Sequence, residues 1–220
     1  MRRILTVLCV LAGVLTVTGC TQRVALFNGQ NLDGWKPYLE DNSVNPASVW
    51  SVSDGVLRCE GVPNGYLRTV ESFSDYILHL EWRWPETPTN SGVLLNAVGE
   101  DKIWPQCIEA QLQHLSAGDF VTIQNGSVIT VNGVQYQPEN AIYKIILKRL
   151  PSSEKPAGRW NTYKIVCTSG TINLYVNGVH QNSGIEALPS AGNICLQSEG
   201  SPIEFRNIYL TPLKPQTKNQ

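Results

Sequence analysis

The chain has 220 residues, 17 of them basic and 18 acidic, for a net charge of −1, and only 16% of its residues are charged. That length suits one large all-β domain or two small ones. No basic stripe runs through the sequence, so it carries no electrostatic footprint for nucleic acid.

Taken in order, the chain opens on a targeting segment. Met1-Arg2-Arg3 is a short basic start, and Ile4 to Thr18 is an apolar run shorter than the about 20 residues a transmembrane helix needs. The run closes on Val17-Thr18-Gly19-Cys20, which resembles a bacterial lipobox, in which small residues precede a cysteine that is lipidated and becomes the new N-terminus. Residues 1–19 are therefore expected to be a lipoprotein signal peptide and residues 20–25 a tether lipidated at Cys20. Acyl chains there would anchor the protein stably to a membrane. Thr21 follows with no acidic run, and by resemblance to Gram-negative sorting signals the expected location is the outer membrane of the cell envelope.

Residues 26–212 read as one β-sandwich domain, followed by a polar tail over 213–220. No linker or long repeat divides the domain. Asn-Gly pairs recur at Asn28-Gly29, Asn64-Gly65, Asn125-Gly126, Asn132-Gly133 and Asn177-Gly178, and such pairs suit tight hairpin turns. Strands are expected at 49–52, 56–60, 76–84, 92–98, 108–115, 120–124, 127–131, 143–147, 161–168, 171–177, 192–197 and 203–210. A loop is expected over 151–158, and at most one short turn over 185–188. Many short strands at regular spacing mean a sandwich or barrel of antiparallel sheets. Cys59, Cys107, Cys167 and Cys195 sit in apolar, strand-like contexts without close spacing. A domain this large needs no disulfide to be stable, so buried free thiols are expected.

Two strands have patterned polar faces. In the first, Tyr76, Leu78, Leu80, Trp82 and Trp84 share one face, and His79, Glu81 and Arg83 share the other. In the second, Ile108, Ala110 and Leu112 alternate with Glu109, Gln111 and Gln113, and a Trp104-Pro105 corner precedes them. A carboxylate followed by two amides on one strand face resembles the floor of a sugar-binding groove. If both strands lay in one sheet, their polar faces would form a common floor. Otherwise Glu81 and Arg83 would simply pair with neighbours. His180, after the Asn177-Gly178 turn, reads as an exposed hairpin residue. Gly-x-Ser-x-Gly, HExxH and phosphate-binding glycine loops are all absent.

The Glu109-Ala110-Gln111-Leu112-Gln113 row also resembles the Glu-x-Asp-x-Glu strand of laminarinase-like jelly-roll glycosidases, with amides replacing two of the carboxylates. Direct glycoside hydrolysis uses two carboxylates flanking the bond. A lone glutamate suits binding or single-base chemistry instead.

Further phrases resemble one family when read in order. They are Leu26-Phe27-Asn28-Gly29 with Leu32-Asp33-Gly34-Trp35, Trp50-Ser51-Val52 with Asp54-Gly55, Glu81-Trp82-Arg83, Asn90-Ser91-Gly92-Val93, Glu109-Ala110-Gln111-Leu112, Gly158-Arg159-Trp160-Asn161, Leu174-Tyr175-Val176-Asn177-Gly178, Ile194-Cys195-Leu196-Gln197 and Phe205-Arg206-Asn207-Ile208. Over residues 24–212 the chain resembles the 3-keto-disaccharide hydrolases. The resemblance implies a concanavalin A-like jelly roll and cleavage of glycosides already oxidised at C3. A C3 ketone acidifies the C2 hydrogen, so loss of that proton expels the C1 oxygen by elimination, and water then adds to the product.

That chemistry needs a base at C2, an electrophile near the C3 oxygen and an acid at the leaving oxygen. The residues expected to serve are Glu109 as base, Arg83 or a bound cation at the C3 oxygen, and His114 or His79 as acid. Gln111, Asn90, Gln197 and Glu81 are expected to contact sugar hydroxyls, and Trp104 to stack on a sugar face. His79, Glu81, Glu109 and His114 would provide a divalent metal with mixed nitrogen and oxygen ligands. One position departs from the pattern. In the subfamily with the Trp-Pro corner and Ala117-Gly118-Asp119-Phe120, the resemblance implies a histidine or arginine after Asn90-Ser91-Gly92-Val93-Leu94-Leu95. This chain has Asn96, expected on the face of Gly92 and Leu94 if the strand is regular.

Three readings stay open: an enzyme acting on 3-keto-glycosides, a lectin-like binding protein, and a structural lipoprotein. A deep pocket clustering Glu109 with a histidine and Arg83 favours the first. A shallow groove of tryptophan and amides alone favours the second, and a flat sheet blocked by loops favours the third.

Overall fold

The computed structural model describes residues 22–213; the signal segment, Cys20 and most of the polar tail lie outside the described residues. The strands in chain order begin with β1 (Val24–Ala25), β2 (Trp35–Leu39), β3 (Trp50–Ser53), β4 (Val56–Cys59), β5 (Gly65–Thr69) and β6 (Tyr76–Arg83). They continue with β7 (Gly92–Val98), β8 (Gln106–Gln111), β9 (Phe120–Ile123), β10 (Val128–Val131), β11 (Val134–Tyr136) and β12 (Tyr143–Ile146). The last are β13 (Asn161–Thr168), β14 (Thr171–Val176), β15 (Val179–Leu188), β16 (Asn193–Ser198) and β17 (Ile203–Pro212). A single 3-10 turn, Pro46–Ser48, interrupts them.

Two antiparallel sheets face one another. A ten-stranded sheet runs β11-β10-β15-β14-β13-β6-β17-β4-β3, with β1 added on β17. A seven-stranded sheet runs β12-β9-β8-β7-β16-β5-β2. This is the all-β sandwich expected from the short strands, in the jelly-roll form that the family resemblance implies.

The period of two in the sequence explains the layers. From β6, Tyr76, Leu78, Leu80 and Trp82 enter the inter-sheet core, and from the other sheet Val93, Leu95, Ile108, Ala110, Ile194 and Leu196 meet them. Residues between these point away from the core. On the seven-stranded sheet that outer face is itself largely buried, by a second apolar cluster of Tyr66, Leu94, Ala97, Cys107, Val121, Ile123 and Cys195. Tyr38 and Trp104 pack against it. The Gly99–Pro105 loop is tied across this face, since Asp101 accepts from Tyr66 Oη at 3.0 Å and from Arg68 Nη1 at 2.9 Å.

Several strands were not legible in the pattern. β2 contains Pro37, which cannot donate to a ladder, but β2 is an edge strand and tolerates it. β15 is ten residues long where only a short turn was expected, because a register shift against β14 and a left-handed Glu186 break its alternation. His180 on that strand is half-buried and stacked on Tyr175 at 4.7 Å, not an exposed hairpin residue. β8 ends at Gln111, short of the expected Leu115, which turns left-handed at φ 65°. Of the five Asn-Gly pairs, Asn132-Gly133 and Asn177-Gly178 form the hairpin turn with both residues at positive φ. Gly65 instead starts a strand, where a Cβ would strike the Tyr38 carbonyl.

Cys59, Cys107, Cys167 and Cys195 are free and buried. Burial pushes the Cys59 thiol up to about 11 and the Cys167 thiol up to about 12, far from the reactive thiolate. These four thiols should therefore resist a thiol reagent in the native protein and all react after denaturation, as read by intact mass. Fast labelling of the folded protein would contradict the packing described here.

Candidate active site on the outer face of the seven-stranded sheet

A groove of about 180 Å³ lies on the outer face of the seven-stranded sheet. Its polar side is built by Glu109 and Gln111 of β8, by Gln113 just beyond it, and by Gln197, Asn90 and Glu199. Its apolar side is built by Val121 and Ile123 of β9, Tyr143 and Ile145 of β12, and Trp104. The sequence expected Glu109, Gln111, Gln197, Asn90 and Trp104 at a sugar site, and the fold gathers all five.

The local cause is register. Leu94 of β7 is opposite Glu109 and Gly92 is opposite Gln111. Leu196 of β16 is opposite Val93, so Gln197 emerges on the same face beside Gly92. An isolated bridge continues the pairing from Asn90 to Glu199. Gly92 lies between the two polar side chains, and a Cβ there would collide with Glu109 Oε1 and Gln197 Oε1. Only a glycine lets these oxygens converge.

Glu109 is 4% exposed and Gln197 1% exposed. Glu109 Oε1, Gln197 Oε1 and Asn90 Oδ1 are buried without a hydrogen-bond partner. Buried acceptors without donors cost about 1–3 kcal/mol each, so three together mark a place prepared for donors from outside. Gln111 differs, because its Oε1 already accepts from the Leu112 and Gln113 amides at 2.9 and 2.8 Å. It shapes the end of β8 more than it offers a free acceptor.

Burial pushes the Glu109 carboxyl well above the usual glutamate range, and the nearby Glu199 carboxylate adds to the effect. Burial also raises Glu199, with the Asn90 amide working the other way. Glu199 was missed in the sequence. The signal was the parity of Gln197-x-Glu199, which continues the β16 face beyond the strand's end.

Other expected residues lie elsewhere. His79, Glu81 and Arg83 belong to β6 in the ten-stranded sheet, so the common floor imagined for β6 and β8 does not form. On their own outer face they are engaged with neighbours. Arg206 Nε donates to Glu81 at 2.7 Å, Arg83 pairs with Glu204 and lies over Trp160, and His79 stacks on Tyr209 at 4.6 Å. Burial lowers the His79 pKa, the Glu81 carboxylate partly restores it, and Arg23 lowers it further. His114 does not line the groove; its Nδ1 faces Glu154 Oε2 at 3.6 Å.

Asn96 also leaves the groove. β7 shifts register between Leu95 and Val98, and Asn96 turns left-handed at φ 55°. The bulge breaks the alternation that would have put it beside Gly92 and Leu94. Its Nδ2 donates to the Pro189 carbonyl at 3.0 Å and its Oδ1 accepts from Tyr76 Oη at 3.4 Å. Asn96 thus closes a buried seam between the sheets. The proposed metal ligands are likewise dispersed, and among the described residues no three His, Cys, Asp or Glu side chains cluster to hold an ion.

Fold and groove together define a carbohydrate-type jelly roll with a titratable cleft on one sheet. The family model described as a 3-keto-alpha-glucoside-1,2-lyase-like domain matches residues 22–211, and the chain belongs to that family. It is 23% identical to the 3-keto-disaccharide hydrolase of Bacteroides thetaiotaomicron, over 74% of this chain and 57% of that protein's length. The chain therefore spans little more than half of this curated relative. A crystal structure of a candidate glycosyl hydrolase from Parabacteroides distasonis is similar at a TM-score of 0.63 and 25% identity, covering 87% of this chain and 100% of the other. The β-glucanase of Bacillus licheniformis shares the fold at a TM-score of 0.52 and 15% identity, covering 90% and 100%.

Two outcomes follow from the burial. Gly92→Ala should displace Glu109 or Gln197 and destabilise the fold by roughly 1–3 kcal/mol, read from urea unfolding. Glu109 should make the folded protein lose stability as pH rises, because the unfolded chain ionises near its ordinary value of about 4.3 while the native carboxyl holds its proton. The loss begins above that value and is complete only above the raised native pKa. Glu109→Gln should therefore be more stable than the parent at neutral pH, with the difference vanishing toward about pH 4 in pH-resolved melts.

Proposed function

We propose that the chain cleaves 3-keto-glycosides or 3-keto-disaccharides, with Glu109 as the base that removes the C2 proton. The observation that carries this reading is the presence of three unpartnered acceptors, on Glu109, Gln197 and Asn90, in one groove, the first two converging over Gly92. Sugar hydroxyls are the donors that such a set lacks. Trp104 on the apolar side supplies a face for a sugar ring. A carboxylate with a raised pKa is a stronger base, which suits a carbon acid activated by a neighbouring ketone. Family membership and the Bacteroides relative support the substrate class. Arg83, His79 and Glu81 have no part in this reading, since they lie on the other sheet.

Glu199 gives the groove a second carboxyl, so direct hydrolysis of unoxidised glycosides is a second reading with a structural basis. The ketone distinguishes the two. A 3-keto-glucoside should be cleaved and the corresponding glucoside left intact; cleavage of both at similar rates would replace the elimination mechanism by an ordinary glycosidase. Glu109→Gln should lower turnover of the 3-keto-glucoside by about 10²–10⁴-fold while the protein stays folded, as read by product analysis and thermal melting. Retained sugar binding with no product from the parent protein would instead support a lectin-like role.

We further propose that Cys20 is lipidated and that the domain works on a membrane of the cell envelope. The support is the basic start, the apolar run and the small residues before Cys20. Cys20→Ala should move the protein from the membrane to the soluble fraction.

A further inference from the structure

The proposed elimination requires an acid at the leaving oxygen, and the histidines considered for it lie outside the groove. We propose that Glu199 is that acid, protonating the glycosidic oxygen as Glu109 takes the C2 proton. The inference rests on the 3-keto-glycoside reading and assigns a residue to its acid step.

The geometry supports the pairing. Glu109 and Glu199 line one groove from β8 and from the end of β16, the two strands that flank β7 and its Gly92. Glu109 is buried at the floor, where a ring seated on Gly92 would present C2. Glu199 is half-buried in the same lining, and so is the more solvent-accessible of the two carboxyls. Gln197, 1% exposed, brings an unpartnered Oε1 over Gly92 beside Glu109 Oε1 and offers an acceptor that would hold the ring there. No other carboxyl, histidine or lysine lines this groove among the described residues; Tyr143 is its remaining ionisable group. Burial raises both carboxyls, and the Glu199 carboxylate further opposes ionisation of Glu109. Elimination draws on the form in which Glu109 is ionised and Glu199 keeps its proton.

The atoms balance. Glu109 carboxylate takes the proton from C2, the C2 electron pair forms the C1=C2 double bond, and the C1–O bond breaks. The departing oxygen takes the Glu199 proton and leaves as an alcohol. Glu199 carboxylate then takes a proton from water as its oxygen bonds to C1, and Glu109 returns its proton to C2. Both carboxyls end as they began, and the net reaction is hydrolysis.

The test is the dependence on leaving group. Glu199→Gln should lower turnover of methyl 3-keto-glucoside by about 100-fold or more, and that of the 4-nitrophenyl 3-keto-glucoside by less than about tenfold, because nitrophenolate leaves without a proton. The same variant should still exchange the C2 hydrogen in deuterated water, whereas Glu109→Gln should not. Equal losses on both substrates, or no loss on either, would overturn the assignment of Glu199. If the variant does not fold, the parent's pH profile decides: an alkaline fall in kcat/KM should appear for the methyl glycoside and be absent for the nitrophenyl one, and identical profiles would overturn it. A parent protein that cleaves neither substrate overturns the 3-keto reading itself, an outcome separate from any behaviour of the variant.

Discussion

The seven-stranded sheet is buried on its inner face and over much of its outer face, and the candidate site exists because of how that second burial is arranged. Its inner face joins the core through Ile108, Ala110, Val93 and Leu196. Its outer face is sealed at one end by Tyr66, Leu94, Cys107 and Cys195 under the Gly99–Pro105 loop. Glu109 stands on that same face between Cys107 and Gln111. The apolar cover that stabilises the sheet also strips water from the carboxyl, which raises its pKa. Stability and the raised Glu109 pKa thus share one cause, since the cluster that packs the face also desolvates the carboxyl.

The two outer faces of the sandwich show how the same residue types take different roles. On the ten-stranded sheet, Arg58, Glu204, Arg83, Glu81 and Arg206 form a laced row in which each charge has a partner. Such partly exposed pairs contribute little individually and leave no acceptor waiting. On the seven-stranded sheet, Glu109, Gln197 and Asn90 present oxygens without donors. Satisfied charges mark a solvated face, and unsatisfied acceptors over a glycine mark a place for a ligand. The contrast argues for placing the chemistry on β8 and against β6, although both strands carried an equally regular polar row in the sequence.

Glycine at position 92 and the bulge at Asn96 are two local devices on one strand. The first removes a side chain so that residues from β8 and β16 can meet. The second turns Asn96 out of register and into a buried hydrogen-bonded seam with Tyr76 and Pro189. β7 therefore contributes space to the groove at one end and a structural tie at the other.

Strand alternation is a local property, and it was enough to read the all-β sandwich, the inward faces of β6 and β8, and the shared face of Glu109 and Gln111. The small set of polar residues near Trp104 was legible for the same reason. Which strands become neighbours is not local. It separated His79, Glu81 and Arg83 from Glu109 by assigning β6 and β8 to different sheets. It brought Glu199 to Glu109 from 90 residues further along the chain. It also exposed the limits of parity, because bulges at Asn96 and within β15 reset the alternation through backbone angles that side-chain type does not specify. The sequence by itself determined the alternating pattern and the candidate base; only tertiary pairing, which sets register between distant strands, decided which other groups that base would meet.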